Sequence, residues 1–142
     1  INLRIIMNMQ PQRAPVQPLL CWRKGVFHIS TDRQLLDIEA IQRFLSLPDR
    51  AAAERLVHHG LCFGLYRKRH LLGFARMVTD YATFASVSEL FVSAEYRGVG
   101  LGSWLTRCCL AHPALRGLRV TLPALQAPWR ADGSAHALRA LH

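Results

Sequence analysis

Three sets of residues have types and spacing suited to chemistry. The densest is Arg97-Gly98-Val99-Gly100-Leu101-Gly102, where glycine alternates with larger residues and a helix-like apolar pattern begins inside the run. Glycine lets the backbone bend and lets an anion approach its amides closely. A helix start adds unpaired N–H groups and the positive end of the helix dipole, so the stretch suits a phosphate or diphosphate. The second set is Glu89, just ahead of the apolar run Leu90-Phe91-Val92 that leads into the loop. A carboxylate there can accept a proton, or can be an exposed or ion-paired strand glutamate. The third set, Asp80 and Tyr81, lies in the preceding turn and offers weaker contacts for a substrate; a tyrosine beside a hairpin more commonly packs.

Two familiar phosphate loops fail against these residues. Gly102 is followed by Ser103-Trp104, so the lysine and hydroxyl residue of the P-loop are missing, and G-x-G-x-G is not the G-x-G-x-x-G of a dinucleotide fold. The adjacent Cys108 and Cys109 fall in the apolar stripe of the helix that follows and read as structural thiols. The histidines lack metal-site spacing, so no metal is expected.

These residues need elements to hold them. Val26–Ser30 reads as a first strand. From the caps Ser30-Thr31-Asp32, the apolar positions Leu35, Leu36, Ile38, Ile41, Phe44 and Leu45 follow helical spacing until Pro48. A second helix is expected over Asp49–His58, broken at Gly60. Leu61–Tyr66 and Leu71–Val78 read as a hairpin with Arg67–His70 as its turn, and a strand over 82–87 continues into Glu89–Val92. The helix after the glycine loop, Leu101–His112, ends at Pro113, and Leu118–Leu122 reads as a further strand. Residues 1–20, with Pro11, Pro15 and Pro18, have no clear period and read as a disordered or extended segment ahead of a domain at 21–142. Within that domain, 123–142 are atypical, with a weak helical pattern at Ala135–Leu141.

A chain of 142 residues with 51% hydrophobic content can bury a real core. No apolar run reaches the length of a membrane helix, and the first residues do not read as a signal peptide, so a soluble, cytoplasmic protein with no membrane partner is expected. The formal net charge of +9 fits a polyanionic ligand. Nucleic acid is the less favoured polyanion, because the basic residues are scattered and no aromatics alternate with them.

The run F-V-S-A-E-Y-R-G-V-G-L-G, with its R-x-x-G-x-G core between a strand and a helix, resembles the strand-loop-helix motif of the GNAT (Gcn5-related N-acetyltransferase) superfamily. The resemblance covers residues 25 to 122. It implies an α+β, three-layer fold: a mixed, mostly antiparallel central sheet with helices on both faces. It implies acetyl-CoA as co-substrate and transfer of its acetyl group, by direct attack, to a primary amine of a small molecule or peptide. In that reading Leu90, Phe91 and Val92 offer backbone groups to the pantetheine arm, and Arg97, Gly98, Val99, Gly100, Leu101 and Gly102 hold the diphosphate. Glu89 is then the candidate proton acceptor. The family's tyrosine helix has no counterpart: Ser134–Arg139 is faintly similar, with Arg139 where tyrosine is expected. That departure supports an alternative, a catalytically impaired acyl-CoA-binding or sensing module. An atypical C-terminal part that leaves a sheet edge or apolar face bare would also favour a homodimer.

Overall fold

The computed structural model describes residues 17–122. Six strands form one sheet in the order β1 to β6: β1 (Cys21–Lys24), β2 (Phe27–Ser30), β3 (Leu61–Arg67), β4 (His70–Thr79), β5 (Phe84–Val92) and β6 (Arg119–Thr121). Each neighbouring pair is antiparallel except β5 and β6, which run parallel. Helices α1 (Ile38–Phe44) and α2 (Arg50–His58) lie between β2 and β3 in sequence, and α3 (Leu101–Leu110) between β5 and β6. The sheet has a core on each face. Phe63, Leu65, Met77 and Val87 pack with Leu105 and Cys109 of α3, whereas Cys62 and Phe74 pack with Ile41 of α1 and Ala53 and Val57 of α2. This is the mixed, mostly antiparallel, three-layer α+β arrangement expected above.

Local chemistry sets the helix boundaries. The expected single helix from Asp32 to Leu47 is two pieces, a 3-10 turn at Arg33–Leu35 and α1. Each has its own aspartate cap: Asp32 accepts from the Gln34 amide (3.0 Å) and Asp37 from the Ala40 amide (3.1 Å). A cap is worth about 1 kcal/mol, enough to restart a helix at Asp37. Asp49 caps α2 in the same way, accepting from Ala52 at 2.8 Å. Gly60 ends that segment at φ +122, where a Cβ would lie 2.8 Å from the Met77 carbonyl oxygen. A side chain there would push the α2–β3 junction away from β4.

Two features lie outside the sequence-based expectation. Strand β1, placed in the sheet by its pairing of Cys21 with Ser30 and Lys24 with Phe27, is an edge strand too short to show a period. The other is a bulge in β5: Arg76 pairs with Glu89 but Met77 pairs with Val87, so Ser88 is an extra residue. The bulge shifts the alternation of the strand. Ala85 and Val87 face α3 before it, and Leu90 and Val92 face α3 after it. Glu89 and Phe91 thereby face α1 and α2. The segment Ala135–Leu141, for which the sequence suggests a weak helical pattern, and Arg139 within it, lie outside the described residues.

Candidate functional site: the glycine loop and the free edge of β5

After Val92 the chain makes a short 3-10 turn at Ala94–Tyr96 and then enters the glycine loop. Gly98 and Gly100 both adopt left-handed φ, +81 and +85, and Gly100 is the N-cap of α3. An L-residue held there is strained by about 1–2 kcal/mol, so glycine is what lets the loop turn into the helix. A Cβ on either glycine would meet nothing within 4 Å, so the space beside them is open. The Arg97 amide donates to the Ala94 carbonyl at 3.4 Å and the Trp104 amide to Gly100 at 3.0 Å. Between them, the amides of Gly98, Val99, Gly100, Leu101, Gly102 and Ser103 find no acceptor among the described residues. Those of Leu101, Gly102 and Ser103 form the first turn of α3 and point out of its positive end. The residues present therefore fit a diphosphate.

The strand leading to this loop is half unpaired. Among the described residues β6 accompanies β5 only along Phe84, Ala85 and Ser86, so from Val87 to Val92 the edge away from β4 has no strand partner. The Ser93 amide donates to the Leu72 carbonyl of β4 at 2.7 Å. By the alternation of a β-strand, Phe91 turns its backbone groups toward β4, and Leu90 and Val92 turn theirs to the open edge. One of those groups is in use, because the Val92 carbonyl accepts from Arg97 Nε at 2.9 Å. The Arg97 guanidinium also lies 5.4 Å from the Phe91 ring, which stacks on Phe44 of α1 at 4.4 Å. The side chain of Arg97 thus braces the end of β5, leaving the loop amides to face outward.

Glu89 is held by Arg76. Arg76 Nε donates to Glu89 Oε2 at 2.6 Å and Nη2 to Oε1 at 3.0 Å, with the two side chains only 14% and 20% exposed. The same guanidinium donates to Ser88 Oγ on the bulge at 3.1 Å and to the His59 carbonyl after α2 at 2.5 Å. This fork-to-carboxylate geometry is the strong form of an ion pair. Sequence reasoning missed Arg76, since its partner lies 13 residues away on the neighbouring strand. The visible sign was the three-residue step from Val87 to Leu90 in an otherwise two-residue alternation.

Asp80 and Tyr81 sit in the β4–β5 turn. The Asp80 carboxylate accepts from the amides of Ala82 (2.9 Å), Thr83 (2.8 Å) and Phe84 (3.1 Å) and from the Thr83 hydroxyl. Hydrogen bonds from the Thr83 hydroxyl and then from these amides hold it well below the usual carboxylate range. Its acceptors serve the turn. Tyr81 adopts φ +60, its amide donating to Thr79 Oγ1 at 2.9 Å, and burial pushes its hydroxyl pKa up. It lines a cavity at the opposite end of β5 from the glycine loop.

Three of the four thiols, Cys62, Cys108 and Cys109, are buried. Burial raises Cys62 and Cys108 to about 11, and raises Cys109 well above the ordinary value. Cys21 is exposed. No group of three or more His, Cys, Asp or Glu among the described residues is placed to hold a metal ion, and no described helix is long and apolar enough to cross a membrane.

The fold is thus a three-layer α+β sheet whose half-open strand β5 leads into a helix start with a row of unpartnered amides. The profile of the acetyltransferase (GNAT) family matches residues 28–130. The chain belongs to the GNAT acetyltransferase family. It is 31% identical over 123 residues to a presumed acetyltransferase of Gibberella zeae, covering 68% of each chain. It is similar to the crystal structure of a presumed GNAT-family acetyltransferase from Xanthomonas campestris pv. campestris, at 38% identity with 81% of each chain covered and a TM-score of 0.67. An aminoglycoside acetyltransferase from a soil metagenome, solved with sisomicin, shares the fold at 14% identity, with 82% of this chain and 87% of that chain covered and a TM-score of 0.58.

Proposed function

We propose that the protein transfers an acetyl group from acetyl-CoA to the primary amine of a small molecule by direct attack. The observation that carries this reading is the row of unpartnered amides from Gly98 to Ser103, set where β5 ends and its edge is open. In this reading the loop amides and the α3 dipole neutralise the diphosphate. The free backbone groups of Leu90 and Val92 pair with the amides of the pantetheine arm as an added strand would, and Phe91 and Arg97 brace that strand from its other face. Acetyl-CoA supplies an activated acyl thioester.

The chain's own task is then to orient the amine and take its proton, because an ammonium has no lone pair for attack. Glu89 is the proton acceptor. Each of its oxygens accepts one N–H from Arg76 and keeps a further lone pair, so a proton can reach it directly or through one water. The tie from Arg76 to Ser88 and His59 fixes the carboxylate in one orientation, which is what positioning a base requires. The hold of Arg76 on both Glu89 oxygens also favours a second reading, a module that binds acyl-CoA without turnover.

A thermal shift tests the first step. Acetyl-CoA and free CoA should each raise the Tm by several degrees at about 100 times Kd, where binding to the native state adds about 2.7 kcal/mol, and ATP should raise it less. No shift with either CoA species sinks both readings. A shift without thiol release across a panel of amines leaves the binding module.

A further inference from the structure

A cavity of about 470 Å³ lies at the far end of β5 from the glycine loop, among Leu61 at the start of β3, Tyr81 in the β4–β5 turn, and Pro18, Leu19 and Arg33. Its size suits a small molecule and is too small for a macromolecular surface. Cys62 forms part of its wall, and in the sheet Cys62 pairs with Arg76 and Arg76 with Glu89. Two strand spacings, about 10 Å, therefore separate this wall from the candidate base on the same face of the sheet. With a cofactor entering from the loop end of β5, this is the end left for the second substrate.

We propose that this cavity is the acceptor pocket and that it takes a small amine that also carries a carboxylate, as a free amino acid does, with Arg33 as the residue that binds the carboxylate. The proposal rests on the acetyl-transfer reading above. Arg33 spends one N–H on the Gly60 carbonyl, at 2.5 Å, and forms no ion pair among the described residues. Its remaining donors form the planar fork that matches a carboxylate. Its charge is felt inside the pocket, where it pulls against the burial that raises the Cys62 and Tyr81 groups. Pro18, Leu19 and Leu61 offer apolar surface to the body of the ligand, and Tyr81 lines the wall beside them. Asp32, also lining the pocket, has one oxygen taken by the Gln34 amide and balances Arg33, so the wall is neutral overall. A polycationic acceptor would find one carboxylate here, next to a guanidinium, in a chain of net charge +9.

The test pairs acceptors that differ only in the carboxylate: phenylalanine with phenethylamine, and leucine with isoamylamine, with spermidine and a short peptide as further arms. Thiol release from acetyl-CoA gives kcat/KM, and the Tm of the protein saturated with CoA, measured with and without each amine, reports acceptor binding without turnover. The wild type should prefer the carboxylated member of each pair by about tenfold or more. Arg33→Gln should lower kcat/KM for that member by about 10- to 100-fold, mainly by raising KM, the scale of one charge-assisted hydrogen-bonded contact. It should cost the decarboxylated member far less, and Arg33→Lys should fall between. Preference for the bare amine, spermidine or the peptide overturns the proposal, as does an equal loss on both members of a pair. The comparison within the wild type decides the matter even if Arg33→Gln fails to fold. If no thiol is released but phenylalanine still raises the Tm of wild type and not of Arg33→Lys or Arg33→Gln, the pocket stands and the transfer reading falls. If CoA binds and no amine either turns over or shifts the Tm, the pocket falls.

Discussion

The pair between Arg76 and Glu89 can be broken in a way that separates support from chemistry. Its two hydrogen bonds, 2.6 and 3.0 Å, are made by side chains 14% and 20% exposed. Solvent-exposed pairs contribute at most about 1 kcal/mol, and hydrogen bonds to charged groups away from water about 1.5–3. The small exposure puts this pair near the middle of the second range, so a double-mutant cycle of Arg76→Met and Glu89→Met should give a coupling of about 2 kcal/mol. Glu89→Gln keeps one acceptor but turns the other oxygen into a donor facing the guanidinium. It should lose much of that amount, a fall in Tm of about 4–6 °C for a chain of this length. Urea denaturation followed by circular dichroism measures the cycle, and m should stay constant across the four proteins. If Glu89 takes the amine's proton, Glu89→Gln should also cut kcat by about 10²–10⁴. Arg76→Lys, which keeps the charge and loses the fork, should cost stability and much less kcat. A coupling below about 0.5 kcal/mol would show that the buried fork is not what holds Glu89. Full kcat in a folded Glu89→Gln would remove the carboxylate from the reaction.

The glycine loop and the β4–β5 turn give further expectations. Gly100→Val places a β-branched residue at φ +85, where strain of about 1–2 kcal/mol or more pulls the loop out of shape. Calorimetric CoA affinity should fall by about 5- to 30-fold, and an unchanged Kd in a folded variant would remove the loop from the binding site. The lowered Asp80 pKa gives a pH signature. A carboxyl held below its unfolded value near 4 stabilises the fold fully above that pH and progressively less as pH falls from there toward its native value. The stability difference between wild type and Asp80→Ala, read by thermal melts, should be largest above about pH 5 and shrink below pH 4. A difference that holds constant down to pH 2 would mean the turn does not depend on the ionised form.

How far the sequence discloses the fold depends on whether a residue's partner is near or far along the chain. The loop from Arg97 to Gly102 was legible because each part of its chemistry is local: glycines, a helix start and a strand before it. The hairpin of β3 and β4 was legible from its two apolar runs and from Arg67–His70 between them. Strand β1 was not, because its four residues, Cys21-Trp22-Arg23-Lys24, are mostly exposed and an edge strand carries charge by design. The division between the 3-10 turn and α1 was written in a second aspartate, Asp37, which looks like one more polar residue of a helix until its side chain is seen to accept from the Ala40 amide. Arg76 and Arg33 were illegible for a different reason. Their acceptors lie 12 to 27 residues away, and nothing in the local sequence distinguishes a guanidinium that ties two segments together from one in solvent.

The bulge at Ser88 connects these points. In a regular strand Ala85, Val87, Glu89 and Phe91 would share one face, which here is packed against α3. Glu89 would then be a buried charge among Leu101, Leu105 and Cys109, and Leu90 and Val92 would turn away from that core. One inserted residue reverses the alternation: Leu90 and Val92 join the α3 core, and Glu89 meets Arg76 on the other face. Arg76 then seals the insertion by donating to Ser88 itself. Deleting Ser88 should therefore do more than shorten a strand. It would exchange the faces of the two halves of β5, unpair Arg76 from Glu89 and expose apolar side chains of the α3 core, an outcome no single side-chain substitution at this position produces.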